Sequence, residues 1–256
     1  PLELYLFSSS LSGLLDFSAY EGAIPATAFS LLATARQVRM AGAKKITGPL
    51  TVPAVRAVAR VRGSLGSDAW QLSRCSPLSL VVPLRSPQLL TSVDLRFMDT
   101  LDFTLEAFLC CSNLEKLLVG GCSQLTGTLS APLIEFITNI RRRYGLEAVD
   151  LSKCGTFTVP AHVKYLVEVD LRNIDSLELP KLTTFEGCGQ HLKTLMFDDC
   201  PLVAGDIAGL AKHCHQLTVI GAGNTGISAS LEGVAHYLGS TPRVLRFHSG
   251  TEFEGS

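Results

Sequence analysis

The sequence predicts an α/β repeat architecture of about ten short parallel strands, each followed by a helix or an irregular crossover, in one domain spanning residues 1–256. Three observations predict it. A nine-residue frame recurs along the chain, clearest where Leu192, Leu195 and Phe197 hold the first, fourth and sixth places and Cys200 the ninth. The fourth and sixth places are apolar throughout, while the places between them vary, which is the period-2 signature of a strand with one buried face. Between the frames, apolar residues recur at helical spacing.

Frames start at Pro1, Ala35, Ser67, Leu90, Leu114, Leu146, Leu166, Leu192, Leu217 and Pro242. Their inward pairs are Leu4/Leu6, Val38/Met40, Trp70/Leu72, Val93/Leu95, Leu117/Val119, Val149/Leu151, Val169/Leu171, Leu195/Phe197, Ile220/Ala222 and Leu245/Phe247. Only Ala222 is small, and none is polar.

Residues 1–89 are less regular, with a loop predicted from Ser8 to Pro25 and a short helix around Phe29, Leu31 and Leu32. Val55, Val58 and Ala59 form a weak helical stripe, and Pro53 suits a first helical turn. Pro77, Pro83 and Pro87 argue against a helix in the next connection. The regular part, 90–247, carries stripes at Leu105/Phe108/Leu109, Leu133/Phe136/Ile137/Ile140, Ile207/Leu210/Ala211/Cys214 and Leu231/Val234/Ala235/Leu238. The short interval from Leu146 to Leu166 predicts an extended crossing or a single 3₁₀ turn. Residues 248–256 are polar and predict a frayed tail.

With 22 basic and 23 acidic residues the net charge is −1, which argues against bulk attraction to nucleic acid or anionic membrane. Arg141, Arg142 and Arg143 are the one local exception, where nucleic-acid contact is conceivable. No apolar run approaches the roughly 18 residues of a membrane span, so no membrane insertion is expected. The chain opens at Pro1, without Met and without a charged segment leading into an apolar core. It therefore reads as a fragment or processed chain with no targeting segment. Cys75, Cys122, Cys154 and Cys200 fall at ninth places, and Cys111 and Cys214 three residues before a frame start. Cysteines fixed by register act as small buried hydrophobes, which points to a reducing compartment: cytoplasm, nucleus or mitochondrial matrix.

The text Leu192-x-x-Leu195-x-Phe197-x-x-Cys200-Pro201-Leu202, followed by Ile207-x-x-Leu210-Ala211-x-x-Cys214-x-x-Leu217, resembles the cysteine-containing leucine-rich repeats. Leu117-x-Val119-x-x-Cys122-Ser123-Gln124-Leu125-Thr126 matches the same pattern. The resemblance covers the chain from about Leu90 onward and extends more loosely to Pro1. Met98, Ile174, Thr225 and Ala43 depart from it at ninth places. It implies a solenoid with strands on its concave face and helices or irregular segments on its convex face, recognising partner proteins. The family is best known from the substrate-binding half of F-box proteins, but no F-box segment is visible.

Three motifs invite chemistry. Gly221-Ala222-Gly223-Asn224-Thr225-Gly226 follows a strand and spells a dinucleotide fingerprint. It lacks the acidic residue that should end the next strand, and it falls in register with the repeats around it. His213-Cys214-His215 near Cys200 has no second ligand pair at zinc spacing. Asp198 and Asp199 point to opposite sides of a strand, so they make no acid–base pair. No catalytic residue, cofactor or metal is expected.

The outward places are more informative. Tyr5, Phe7, Arg39, Asp94, Arg96, Leu118, Asp150, Glu168, Asp170, Arg172, Met196 and Asp198 are the candidate partner-binding residues. Mixed charge with apolar anchors suits a protein partner. The sequence thus points to a non-catalytic recognition scaffold, a subunit or assembly factor of a larger complex. The alternatives are the substrate-receptor portion of an F-box-type ubiquitin ligase and a nucleotide-cofactor enzyme built on the Gly221–Gly226 loop.

Overall fold

The computed structural model describes residues 13–18, 20–40, 46–71, 78–80, 82–98, 101–239, 243–247 and 251–255. The architecture is mixed α/β, with many two- and three-residue strands paired in parallel. Two compact units are resolved, one of Pro1–Leu125 with Ala148–Asp150, the other of Thr126–Glu147 with Leu151–Ser256.

In the first unit, β1 (Leu14–Asp16), β2 (Gln37–Arg39) and β3 (Trp70–Gln71) form one parallel sheet. A second contains β4 (Ser92–Asp94), β5 (Lys116–Leu118) and β6 (Val149–Asp150). In the second unit, β7 (Glu168–Asp170), β8 (Thr194–Met196), β9 (Val219–Gly221) and β10 (Arg243–Phe247) pair in chain order. The register matches the sequence frame: Val38 faces Trp70, Val93 faces Leu117, and Leu117 faces Val149. Val169, Leu195, Ile220 and Leu245 follow in line in the second unit. Within each unit the fourth- and sixth-place side chains point inward, and those of the frames from Leu90 to Leu192 are buried. Leu4, Leu6 and Leu72 lie outside the described residues.

Where the eighth place of a frame lies among the described residues, it sits in the left-handed region. Phe97, Lys153, Asn173, Asp199 and Asn224 all have φ between 53° and 61° there. Asn and Asp tolerate this region better than most residues, and Asn224 Nδ2 also donates across to Asp199 Oδ1 of the preceding repeat at 2.6 Å. A second row of paired two- or three-residue segments follows the turns, such as Gly127–Thr128, Phe157–Thr158 and Leu177–Glu178 in the second unit.

Helix α1 (Val52–Leu65) and helix α2 (Ala131–Tyr144) are the longest among the described residues. Both carry proline in the first turn and end at glycines, Gly66 and Gly145, with φ of 90° and 92°. A Cβ is strained at such angles, so glycine stops both helices cleanly. α1 buries Val55, Val58 and Ala59 as predicted, while α2 buries Ile134 and Thr138 in place of half-buried Phe136. Helix α3 (Ile207–His213) buries its predicted stripe. Helix α4 (Leu231–Leu238) instead buries Tyr237 and exposes Ala235, because the phenol reaches the Val244 carbonyl at 3.2 Å. The stripe at Leu105 and Phe108 forms only a 3₁₀ turn. Residues 159–166 cross without a helix, as the short interval requires. No helix among the described residues is long and apolar enough to cross a membrane.

Two expectations are corrected. Leu14–Asp16 is a strand rather than loop, with Leu15 facing Val38 and Phe17 buried at the following inward place. Its alternation was masked by the serine- and glycine-rich text before it. Residues 251–255 do not fray; Thr251–Gly255 (β11) pairs antiparallel with β10. Its alternating Thr-Glu-Phe-Glu text suits an edge strand that covers the last parallel one.

The register cysteines carry hydrogen bonds as well as volume. Cys122 Sγ donates to Leu95 O at 3.1 Å, and Cys200 Sγ to Leu171 O at 3.0 Å. In both cases a ninth-place thiol binds the sixth-place carbonyl of an earlier repeat. Cys188 is buried in the same manner as Cys111 and Cys214, displaced by one residue in the frame, and donates to Val163 O at 3.3 Å. Cys75 lies outside the described residues.

Burial pushes the thiols of Cys111, Cys200 and Cys214 up to about 12. A group whose pKa is higher folded than unfolded stabilises the fold below its unfolded value, and that contribution drains away as pH rises toward the folded one. Chemical denaturation should therefore show stability holding to about pH 9 and falling steadily toward pH 12. A thiol titration under native conditions should modify exposed Cys110 before the six buried cysteines among the described residues.

Candidate functional site

The outward places of β4 and β7 carry one and the same construction. In the first unit, Arg96, just past the end of β4, grips Asp94 two residues back, with Nη2 at 2.7 Å from Oδ2 and Nε at 3.0 Å from Oδ1. In the second, Arg172 grips Asp170 identically, at 2.6 and 2.9 Å. Such a two-point guanidinium–carboxylate clamp fixes both side chains. It explains why Val93-Asp94-Leu95-Arg96 and Val169-Asp170-Leu171-Arg172 share their text.

A second arginine reaches each aspartate from a helix. Arg62 of α1 is 3% exposed. Its Nε and Nη2 donate to Trp70 O at 2.9 and 2.6 Å, and its Nη1 to Asp94 Oδ1 at 3.1 Å and Arg96 O at 3.0 Å. Arg141 of α2, equally buried, donates from Nη1 to Asp170 O at 3.1 Å and lies 3.4 Å from its Oδ1. Thr138 Oγ1 accepts Asp170 N–H at 2.9 Å. A buried guanidinium is costly without a charge partner; here an aspartate supplies it, and each helix is pinned to a strand end.

The pKa shifts follow the geometry. Burial pushes the Arg62 and Arg141 guanidinium values down against the pull of Asp94 and Asp170. Burial alone would raise the Asp170 carboxyl, but its bonds to Arg172 and the Arg141 charge outweigh it and hold it below the usual carboxylate range. Asp150 attracts Arg96, and Asp198 attracts Arg172, so the alternation of charge continues within each unit. The Asp150 carboxylate lies over Gly120, where a Cβ would meet it at 2.4 Å; Asp198 lies over Gly221 in the same way.

The candidate residues therefore fall into three groups. Asp94 and Met196 are buried, at 2% and 6% exposure, and neither projects as predicted. Asp94 is enclosed by its two arginines, and the Met196 methyl settles over side-chain-free Gly221. Arg96, Asp170 and Arg172 are half-buried and bound within the clamps, while half-buried Asp198 attracts Arg172 and accepts Gly223 N–H through Oδ1 at 2.9 Å. Leu118, Asp150, Glu168 and Arg39 remain partly or fully accessible, with Arg39 3.9 Å from Asp16 and Glu168 3.6 Å from Arg142. Tyr5 and Phe7 lie outside the described residues.

The expected Arg141–Arg143 patch is also corrected. Arg141 points inward to Asp170, Arg142 is paired with Glu168 and Asn139, and only Arg143 faces solvent with no partner among the described residues. In the Gly221–Gly226 loop, Gly223 N–H is held by Asp198 and Gly226 N–H donates to Val203 O at 2.7 Å. Gly226–Ser228 is a strand paired with Ala204–Asp206, and α4 begins only at Leu231. A phosphate cradle needs free amides at a helix N-terminus; these amides are engaged.

Arg62 and Arg141 are the site residues that the strand frame alone does not find. A second signal does mark them. Thr51–Cys75 and Ser130–Cys154 align at a constant offset of 79 residues, matching Pro53 with Pro132, Arg62 with Arg141, Gly66 with Gly145 and Ala69 with Ala148. An arginine repeated on the buried face of a helix implies a repeated buried acceptor.

Replacing Arg62 by Met should lower stability by about 3–5 kcal/mol, since it strands part of a buried network, whereas Arg39→Ala should change it by less than about 1 kcal/mol; urea unfolding of both variants tests this. A carboxyl with a lowered folded pKa stabilises above its unfolded value and ceases to as pH falls through the folded one. Asp170→Asn should therefore destabilise at pH 7, with the gap from the parent closing as pH drops below about 4, read from paired denaturation curves.

Comparison with protein-family models finds no match, and no curated protein matches the chain in sequence.

Proposed function

We infer that the chain is a leucine-rich-repeat protein of the cysteine-containing kind, acting as a non-catalytic recognition scaffold within a larger assembly, with partner proteins bound on the outward face of its strands. The observation that carries this reading is the internally clamped, charge-alternating face. Asp94 with Arg96, and Asp170 with Arg172, are held rigid before any partner arrives. A surface ordered in advance loses little side-chain entropy on binding. Around the clamps stand the groups a partner would touch: Lys116 and Leu118 in the first unit, Thr194 and Arg246 in the second. The in-register stacking of fourth-place residues and the thiol–carbonyl bonds support the repeat assignment. The substrate-receptor reading uses the same face and differs only in what else the partner complex contains.

Affinity capture with Leu118→Arg and Arg246→Glu variants, checked for unchanged melting, tests the face. Partner recovery should fall by about tenfold for at least one of them, the scale of a hot-spot loss. A principal partner retained equally by both would remove the strand face from consideration. Recovery of ubiquitin-ligase core subunits would select the receptor form of the reading.

A further inference from the structure

The helix side of the first unit carries a groove that the strand-face reading does not use. Because α1 turns Val55, Val58, Ala59 and Arg62 inward, Arg56 and Arg60 stand on its exposed side one turn apart. They line a cavity of about 410 Å³ together with Thr91, Ser92 and Ser30, whose hydroxyl is donated to Thr27 O. None of the described residues lining it is acidic. Among the described residues neither arginine has a hydrogen bond or ion pair. Two cations one turn apart repel each other, so the fold gains nothing from them.

The second unit supplies an internal control. Helix α2 repeats the proline, the buried arginine and the terminal glycine of α1, yet carries Glu135 and Asn139 where α1 has Arg56 and Arg60. The repeat architecture therefore does not demand the pair. A second cavity of about 450 Å³ shares Pro53 with the first and is lined mainly by apolar surface, from Val52, Leu84 and half-exposed Leu89, with Arg85 and Ser86 also in its wall.

We propose that this double groove binds a phosphorylated serine or threonine of a partner peptide, with Arg56 and Arg60 holding the phosphate and an adjacent apolar side chain of the peptide covering Leu89. A single carboxylate is satisfied by one guanidinium fork. A phosphate monoester near neutral pH carries close to two charges and three acceptor oxygens, which matches two guanidiniums with hydroxyl donors beside them. Both cavities fall in the size range of ligand sites. Free phosphate or a small phosphorylated metabolite would leave the apolar half uncovered, whereas a peptide spans both. The proposal stands independently of the strand face, and the strand-face variants leave this groove intact.

The test is fluorescence polarisation of the full chain against labelled peptide libraries with a fixed phosphoserine, an unmodified serine or a glutamate among degenerate flanks. The phosphoserine library should bind at least about tenfold tighter than the serine library, with selection for an apolar residue at one fixed spacing. Arg56→Glu/Arg60→Asn, which copies the α2 residues and should melt like the parent, should erase that preference; Arg56→Lys/Arg60→Lys should keep part of it. Leu89→Ser should lose the apolar selection but keep the phosphate preference. Should the double variant fail to fold, Arg60→Asn alone should reduce the preference. Equal binding of phosphorylated and unmodified libraries overturns the proposal, as does a folded arginine variant that binds undiminished. Inorganic phosphate that competes as well as the selected peptide would overturn the peptide ligand. Single-stranded RNA bound with the same arginine dependence would overturn it too.

Discussion

Strands of two or three residues cannot hold themselves; the whole architecture rests on keeping each in register with the next. That constraint is met from the inside, by fourth- and sixth-place side chains stacked in columns. It is met again at the backbone, where carbonyls left by such short ladders need donors. Cysteine thiols supply some of them, and the buried arginines of α1 and α2 supply others at Trp70 and Asp170. Volume, donor capacity and charge are thus delivered by the same few side chains.

The two units show how one solution is reused and then diverges. Proline, buried arginine and terminal glycine are common to α1 and α2, as is the Asp–Leu–Arg clamp that receives each arginine. What differs lies on surfaces the clamp does not touch. Structural demands hold the inner face constant, leaving the solvent face of each helix open to acquire separate chemistry.

Much of this was legible in the sequence, though unevenly. Period-2 burial has one dominant cause, so Val93, Leu117, Val169 and Leu195 were placed correctly by pattern alone. Leu14–Asp16 and Thr251–Gly255 were missed, since a three-residue strand beside serines and an edge strand of alternating charge carry weak local signals. Outward residues were harder still. Asp94 looked like a surface acid because its partner Arg62 lies 32 residues away and on a helix. Met196 looked like an exposed anchor because the glycine that lets it lie flat belongs to the next strand. Pairwise contacts between elements are invisible to a pattern read along one element at a time.

Along the chain, each principal parallel strand within a sheet pairs only with its neighbours in sequence order. Such nearest-neighbour connectivity makes energy approximately additive along each unit and lets folding start at any adjacent pair of repeats. Within the described sheets, strands with a single neighbour, such as β1 and β7, are then held less firmly than those with two. Local opening should spread from those singly held strands toward the ones held on both sides.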